Sequence, residues 1–384
     1  MTEKLYEKDS HIKEFTARVV SCTETGGGFA AVFDRTAFFP EGGGQESDRG
    51  TAGGAKVLDV QEENGELLHY LDAPLTPGET AECRLDWERR FRNMQNHSGE
   101  HIISGIVHKL YGLDNVGFHL GNEMTLDFNG ELNREQLLRV ERLANEAVYK
   151  NARFTAWYPS ADELKTLSYR SKLELQSNVR LVEIEGFDLC ACCAPHVKSA
   201  AEIGLIKILD FFRYKGGVRV FAKCGTDALD DYNVKYRSVQ EISELLSVKQ
   251  YETAAAVKKL YERSGELKAE ISVLKKRLIA EMAAGFRPEG NVTALFEDGL
   301  DIKELQLFAD ALYKSAGGIR AVFSGAESGF AFAVCGEESE LERFFGSFKA
   351  EFEVRGGGRN GIRQGTVNAA ETAIKAYFEN KALN

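Results

Sequence analysis

Two short stretches constrain this chain more than any other feature: His97-Ser98-Gly99-Glu100-His101 and Cys192-Cys193-Ala194-Pro195-His196. Each holds two metal-binding side chains four residues apart. On a helix that interval is about 6 Å of rise, and the two side chains share one face. Either stretch alone is an ordinary coincidence. Together, in a chain with only seven histidines and seven cysteines, they predict a fold that closes His97, His101, Cys192 and His196 around one ion. Three imidazoles and a thiolate form a borderline-soft donor set that suits Zn2+. Four protein donors filling every position read as a structural site, and three donors with one position open as a catalytic one. A protease of the HExxH type is excluded, because Glu100 is not where that motif needs its glutamate. On a helix Glu100 points to a different face from the two histidines, so it is not assigned as a base. His108, seven residues after His101, reads as a satisfied helix histidine.

Composition narrows the class. A length of 384 residues suggests two or three domains, and 43% hydrophobic with 28% charged residues is an ordinary globular balance. No apolar run approaches the roughly 18–20 residues of a membrane span, and the charged first fifteen residues carry no visible secretory signal. The odd number of cysteines, three of them crowded at Cys190, Cys192 and Cys193, indicates metal or redox use in a reducing cytoplasm. A net charge of −11 argues against a general nucleic-acid coat protein but leaves room for a local basic groove.

Along the chain, residues 14–85 read as short strands: Phe15 to Val20, Phe29 to Phe33, Lys56 to Val60 and Leu67 to Leu71. Glycine turns punctuate them, which suggests a small barrel. A helix is expected from Asp86-Trp87-Glu88 to Lys109, stopping at Gly112. Phe118 to Phe128 reads as one strand. Asn133 with Gln136, and Ser160 with Glu163, resemble capping boxes. Val179 to Ile184 reads as a strand delivering the cysteine cluster, and Glu202 to Phe212 and Arg219 to Lys223 as continuing sheet. Beyond Thr226 the pattern is helical. Val257, Leu260, Ser264, Leu267, Ile271, Leu274 and Leu278 make a heptad seam, and Ile242, Leu245 and Leu246 mark an earlier helix. The seam packs either an antiparallel hairpin within one chain or two chains as a dimer; the hairpin is the expectation, with a homodimer formed through the C-terminal region. Phe286 to Gly290 breaks the helix. Strand-like Val292 to Phe296 and Arg320 to Phe323 then alternate with helix-like Ile302 to Lys314 and Glu340 to Phe348, and a glycine loop, Gly356-Gly357-Gly358, precedes a last helix near Val367 to Phe378. The fold class is α+β and multidomain: a small β-barrel over 1–88, an α+β zinc-binding domain over 89–225, a helical coiled-coil arm over 226–287 and a glycine-rich α/β globular domain over 288–384.

Thr36-Ala37-Phe38-Phe39-Pro40-Glu41-Gly42-Gly43-Gly44-Gln45, then Asp48-Arg49-Gly50, is the second unusual stretch. Consecutive glycines let backbone approach a ligand, and Gln45 and Asp48 offer directed hydrogen bonds. A barrel turn with a glycine bulge is the plain reading. The stretch also resembles the N-terminal signature of the alanyl-tRNA editing proteins, free-standing relatives of the editing domain of alanyl-tRNA synthetase. The motif order is similar too: the glycine motif, HxxxH, Phe118-His119-Leu120-Gly121, then CxxxH with Val197-Lys198 and Glu202-Ile203-Gly204. The resemblance spans about residues 14–225. The remainder resembles the C-terminal domain of the same synthetase, as in the long form of the family.

This resemblance implies an ATP-independent hydrolase that acts in trans on tRNA(Ala) mischarged with serine or glycine. The chemistry makes sense of such an enzyme. A small apolar pocket discriminates only about 10–200-fold between amino acids differing by one small group, so a second, hydrolytic sieve is needed. By resemblance the zinc ligands are His97, His101, Cys192 and His196. Relatives usually have two glycines and a threonine between the Cys and the His, so Cys193, and more weakly Cys190, compete here as the thiolate. The family pattern implies catalytic roles for Thr36, bonding the serine hydroxyl, and Gln45, orienting the ester or ribose. It implies substrate-binding roles for Gly43, Gly44, Asp48 and His119. Arg355, Arg359 and Arg363 around the glycine loop suit RNA backbone. Arg213, Lys215, Arg219 and Lys223, with Lys258, Lys259, Lys275, Lys276 and Arg277, read as phosphate contacts or solvated faces. The competing classes are a non-catalytic zinc-stabilised tRNA-binding protein and an editor of another mischarged tRNA.

Overall fold

The computed structural model describes residues 2–121, 123–171, 179–288, 290–326 and 329–382; Glu289, within the expected helix break, lies outside them. The chain divides into two compact units, Met1–Glu241 and Ile242–Asn384.

In the first unit six strands close a barrel. Its order is Glu14–Thr25, Gly28–Phe33, Glu66–Leu71, Ala55–Glu63, Gly50–Ala52 and Thr80–Leu85, the last pairing back to the first. Strict alternation of exposed and buried residues over Thr80–Leu85 sends Ala81, Cys83 and Leu85 inward, where they join Val19, Phe33, Val57 and Leu71.

The helix that follows, Trp87–Tyr111, starts because the Asp86 carboxylate accepts the Arg89 N–H at 3.1 Å. It stops because Gly112 adopts the left-handed conformation (φ 65°) and returns its N–H to the His108 carbonyl at 2.9 Å. Every residue from Asn93 to Val107 is buried. A helix enclosed on all sides needs room for its neighbours, and two glycines provide it. A Cβ on Gly99 would collide with the Cys224 sulfur, and one on Gly105 would come within 2.6 Å of Asp188 Cβ.

Two antiparallel sheets complete this unit. One has the order Ile206–Tyr214, Gly217–Cys224, Met124–Phe128, Asn115–Leu120; the other Phe154–Trp157, Leu181–Ile184, Asp188–Ala191. The expected strand Phe118 to Phe128 is thus a hairpin of two strands, with bends at Gly121 and Glu123 between them. The expected strand from Glu202 begins only at Ile206, because Ala200–Ile203 forms a 3-10 turn ended by Gly204 at φ 79°. The helix Arg134–Tyr149 opens with a complete Asn133–Gln136 capping box, and Ala161–Thr166 with a Ser160–Glu163 box.

The helix Gly225–Leu246 leads to the second unit. There the long helix Thr253–Gly285 is followed by a five-stranded sheet in the order Val292–Phe296, Ile319–Ala326, Gly329–Cys335, Ile362–Asn368, Glu353–Gly357. Helix Ile302–Ala316 packs against it with the buried end of the long helix at Ile279 and Ala283. Phe344, Phe345, Phe348 and Phe378 fill the other face. Two expectations change. Gly356 and Gly357 belong to an edge strand, because Gly356 closely approaches the Gln364 carbonyl and pairs with Gly365. Val367 lies in the strand beside it, paired to Val354 and Phe330, and the last helix is Glu371–Ala382. The heptad residues Val257, Leu260, Leu267, Ile271, Leu274 and Leu278 are 42–57% exposed, so no coiled-coil partner covers them among the described residues.

Candidate metal centre and its cavity

The helix Trp87–Tyr111 turns His97 and His101 inward with ring centroids 5.2 Å apart. The hairpin Leu181–Ile184/Asp188–Ala191 runs out into the loop that carries Cys192 and His196. Buried Arg180 braces that loop by donating to the carbonyls of Cys192 and Ala194, both at 3.0 Å. The stretches predicted to meet do meet: one donor atom from each of His97, His101, Cys192 and His196 lies within 4.8 Å of the others. Bond lengths of 2.0–2.3 Å around a tetrahedral ion place donors roughly 3.3–3.8 Å apart. Cys192 Sγ stands 3.7 Å from His97 Nε2 and 3.3 Å from His196 Nε2, so the donors fit such an ion.

Outer contacts aim the imidazoles. The Gln45 amide oxygen accepts from His97 Nδ1 at 2.8 Å, and the Ser98 hydroxyl sits 3.1 Å from His196 Nδ1. Both contacts turn Nε2 toward the sulfur. Burial opposes ionisation of Cys192, but His97 and His196 outweigh it and hold the thiol well below its ordinary value. Burial drives His196 down to about 3, despite Cys192, keeping it neutral. A metal needs ionised sulfur with neutral imidazole; burial opposes the charge of His101, but Cys190, Glu100 and Asp188 hold it well above its ordinary value, so this donor would release its proton to an ion. Cys190 is pushed by burial up to about 12, and Cys193 is exposed and outside the cluster. A second set, His101, Asp188 and Cys190, also comes together. Burial opposes the charge of Asp188, but Arg170, bidentate at 2.6 and 2.7 Å, and His101 bring the carboxyl down to about 2, so this carboxylate already has its cation.

The cluster forms part of the wall of a cavity of about 450 Å³, shared with Gly43, Glu100, Asn115, Tyr158 and Arg170. Glu100 corrects the helix-face reading. It is buried, its Oε1 accepts from Ser104 at 2.7 Å and Asn115 at 2.5 Å, and its Oε2 lies 3.6 Å from His101 Nε2. The signal missed in the sequence is Ser104, one turn beyond Glu100, which points the same way.

The other expected site residues divide. Gln45 is buried and reaches the cluster, and its Nε2 has no partner among the described residues. Gly43 (φ 63°) lines the cavity. Gly44 (φ 85°) serves packing instead: a Cβ there would collide with the Phe118 carbonyl, and its own carbonyl accepts from Leu120 at 2.9 Å. Asp48 does not face a ligand, since it is buried, ion-paired with buried Arg90, and accepts the Phe39 N–H at 2.6 Å. His119 points outward from its strand; its neighbour Phe118 is the one that reaches the cluster, 4.8 Å from His97. Thr36 is enclosed in the barrel and does not line the cavity. His69 Nδ1 donates to the Ala31 carbonyl (3.2 Å), so its Nε2 accepts from the Thr36 hydroxyl (2.9 Å), which in turn accepts the Phe38 N–H (3.1 Å). Arg363 is buried and held by Glu338 at 2.7 Å, which removes it from an RNA surface, whereas Arg355 and Arg359 are exposed. Arg219 is bound to Asp127 and Lys223 to Asp231.

Residues 179–221 match the family model described as the threonyl and alanyl tRNA synthetase second additional domain. The chain is 31% identical to the alanyl-tRNA editing protein AlaX-L of Pyrococcus horikoshii over 80% of each chain. It is 29% identical to the alanyl-tRNA editing protein Aarsd1 of Mus musculus over 97% of this chain and 96% of that one. An alanine–tRNA ligase of Ignicoccus hospitalis is 30% identical over 73% of this chain but only 32% of its own length.

Proposed function

The chain belongs to the family of alanyl-tRNA editing proteins, and on that premise we propose that it hydrolyses the ester of tRNA(Ala) mischarged with serine, and with glycine more weakly, at a zinc site. One observation supports the enzymatic reading over a purely structural metal although four donors are present: His97, His101 and Cys192 line a cavity of about 450 Å³, so an ion held there would be open to substrate or water by expanding to a fifth position or releasing a donor. His97, His101, Cys192 and His196 hold the ion. Zinc, when bound, supplies a positive charge that polarises an ester carbonyl or favours ionisation of a water.

The remaining work falls to the chain's own residues. Gln45 holds the His97 ring through its amide oxygen, and its amide N–H group is a donor for the ester or the ribose. Thr36 gives its own proton to His69, so toward a third partner its oxygen is only an acceptor. Thr36 is buried away from the cavity, so this role requires the barrel wall to open toward the substrate; a seryl side chain would then offer the matching O–H and an alanyl side chain nothing. A site built to pair with a hydroxyl discriminates far more steeply than one built on size. Arg355 and Arg359 are the phosphate contacts of the second unit, and the exposed heptad seam supports association of two copies. No helix among the described residues is long and apolar enough to cross a membrane.

Deacylation of Ser-tRNA(Ala), Gly-tRNA(Ala) and Ala-tRNA(Ala) by the purified protein tests the reading. Serine should be released fastest and alanine spared. Release of all three at one rate, or of none, contradicts it.

A further inference from the structure

The three-stranded sheet beside the cluster carries a row of side chains that metal binding does not account for. Trp157 pairs with Leu181, and Leu181 with Ala191. Continuing that register by one residue sets Tyr158, Arg180 and Cys192 abreast, and the Cys192 N–H does bond the Arg180 carbonyl at 3.0 Å. Residues abreast point to one face of a sheet, and all three line the same cavity. Neighbouring strands lie about 4.8 Å apart, so Arg180 stands one spacing from the thiolate and Tyr158 two, on the order of 5 and 10 Å.

Both outer members of the row have binding groups to spare. Arg180 is 8% exposed. Its Nη1 donates to the carbonyls of Cys192 and Ala194, while Nε and Nη2 have no partner, and no carboxylate pairs with it, among the described residues. Arg170 in the same wall, by contrast, has Asp188. Neutral carbonyls do not compensate a guanidinium for lost water as an anion does. Tyr158 is 46% exposed, and its hydroxyl donates to Glu7 at 2.9 Å, which fixes the ring. No ring or cation stacks on it among the described residues. Burial pushes its hydroxyl up to about 12, with Glu7 adding to the rise and Arg180 opposing it, so the proton that Glu7 accepts stays in place. An anchored, open aromatic face beside an unneutralised guanidinium suits the base and the phosphate of one nucleotide.

We propose that this end of the cavity is a nucleotide subsite: with the aminoacyl ester at the cluster, Arg180 takes an oxygen of the 5′-phosphate of the esterified nucleotide and Tyr158 stacks on its base. The assignment rests on the editing function proposed above. One ribose separates the ester from either group, a reach that one to two strand spacings match. Both residues bind and position the substrate, and no bond is made or broken by them.

The test uses the full zinc-loaded chain and a non-hydrolysable probe, 3′-deoxy-3′-(L-seryl)amidoadenosine, in three forms: with a 5′-phosphate, without it, and without either phosphate or base. Binding is measured by calorimetry, with zinc content determined on the same samples. Wild type should prefer the phosphorylated form roughly 10- to 100-fold. It should prefer the form with a base over the form without one roughly 5- to 100-fold. Arg180→Met should lose the first preference, and Arg180→Lys should recover part of it. Tyr158→Ala should lose the second, and Tyr158→Phe, which drops only the bond to Glu7, should keep it. An undiminished preference in Arg180→Met or in Tyr158→Ala overturns the assignment of that residue. Arg180 also braces the Cys192 loop; if its variants lose zinc, wild type decides alone, and equal affinity with and without the 5′-phosphate overturns the subsite. Deacylation of Ser-tRNA(Ala) is followed in parallel. Serine release by a wild type that shows no preference among the probes overturns this inference and leaves the editing function standing. Wild-type protein that binds no probe and releases no serine overturns both.

Discussion

At the scale of single residues the four donors were legible because their chemistry is rare and their spacing is helical, while their partners were not. Nothing in the sequence ties Gln45 to His97, Asp48 to Arg90 or His69 to Thr36; barrel closure creates those contacts between distant segments. His119 was misread because strand alternation faces it away while Phe118 turns in. Cys192, ionised beside two imidazoles, is the expected thiolate ligand. Cys192→Ala should therefore lose stoichiometric zinc and Cys193→Ala should keep it, as read by metal analysis after dialysis; zinc retained by Cys192→Ala would transfer the role to another sulfur. His69 gives a pH prediction. Burial holds its folded pKa near 4, against 6.5 ordinarily. Between those values the unfolded chain takes a proton that the folded chain refuses, so stability is full above pH 6.5, falls as pH drops toward 4 and levels off below. The loss is on the order of 3 kcal/mol. Urea melts of wild type and His69→Gln should diverge above pH 6.5 and converge near pH 4; parallel pH curves would refute a buried neutral His69.

At the scale of elements, the site helix Trp87–Tyr111 was legible in extent, through Asp86 at its start and Gly112 at its end, but its complete burial was not. The moderate polarity of Gln95, Asn96 and Glu100 argues for an exposed face, and the fold instead satisfies these groups internally. Gln95 reaches the Glu202 carbonyl, and Asn96 reaches Asp227 and the Cys224 N–H. Gly105 lets the helix sit directly on the hairpin that carries Asp188 to Ala191. Gly105→Ala should force helix and hairpin apart, with about 1–3 kcal/mol lost to overpacking and weaker zinc retention, whereas Gly121→Ala, with open space around its Cβ, should change neither. Unaltered zinc affinity in Gly105→Ala would show that the hairpin can shift without disturbing the cluster.

At the scale of the whole molecule, the division into a barrel-bearing metal unit and a helical-sheet unit follows the shift in sequence pattern after Thr226, though the compact unit extends to Glu241. Several cations offered by sequence as phosphate contacts turn out to be ion-paired: Arg213, Arg219, Lys223, Lys258, Lys275, Arg355 and Arg363, of which Arg213, Lys258 and Arg355 are exposed pairs that a phosphate can displace. On a chain of net charge −11, tRNA affinity should therefore fall with salt only as steeply as a few contacts demand. Arg355→Ala with Arg359→Ala should flatten that slope further in a filter-binding titration, and an unchanged slope would place the RNA surface elsewhere. The account as a whole depends on one coupling, that of metal to hydrolysis. The most direct measurement strips the protein with a chelator, follows Ser-tRNA(Ala) deacylation beside Ala-tRNA(Ala), and then restores zinc, with Cys192→Ala in parallel. The account predicts that serine release vanishes on stripping, returns with zinc in wild type only, and leaves alanine esterified throughout. Full serine release by stripped, still-folded protein would contradict it.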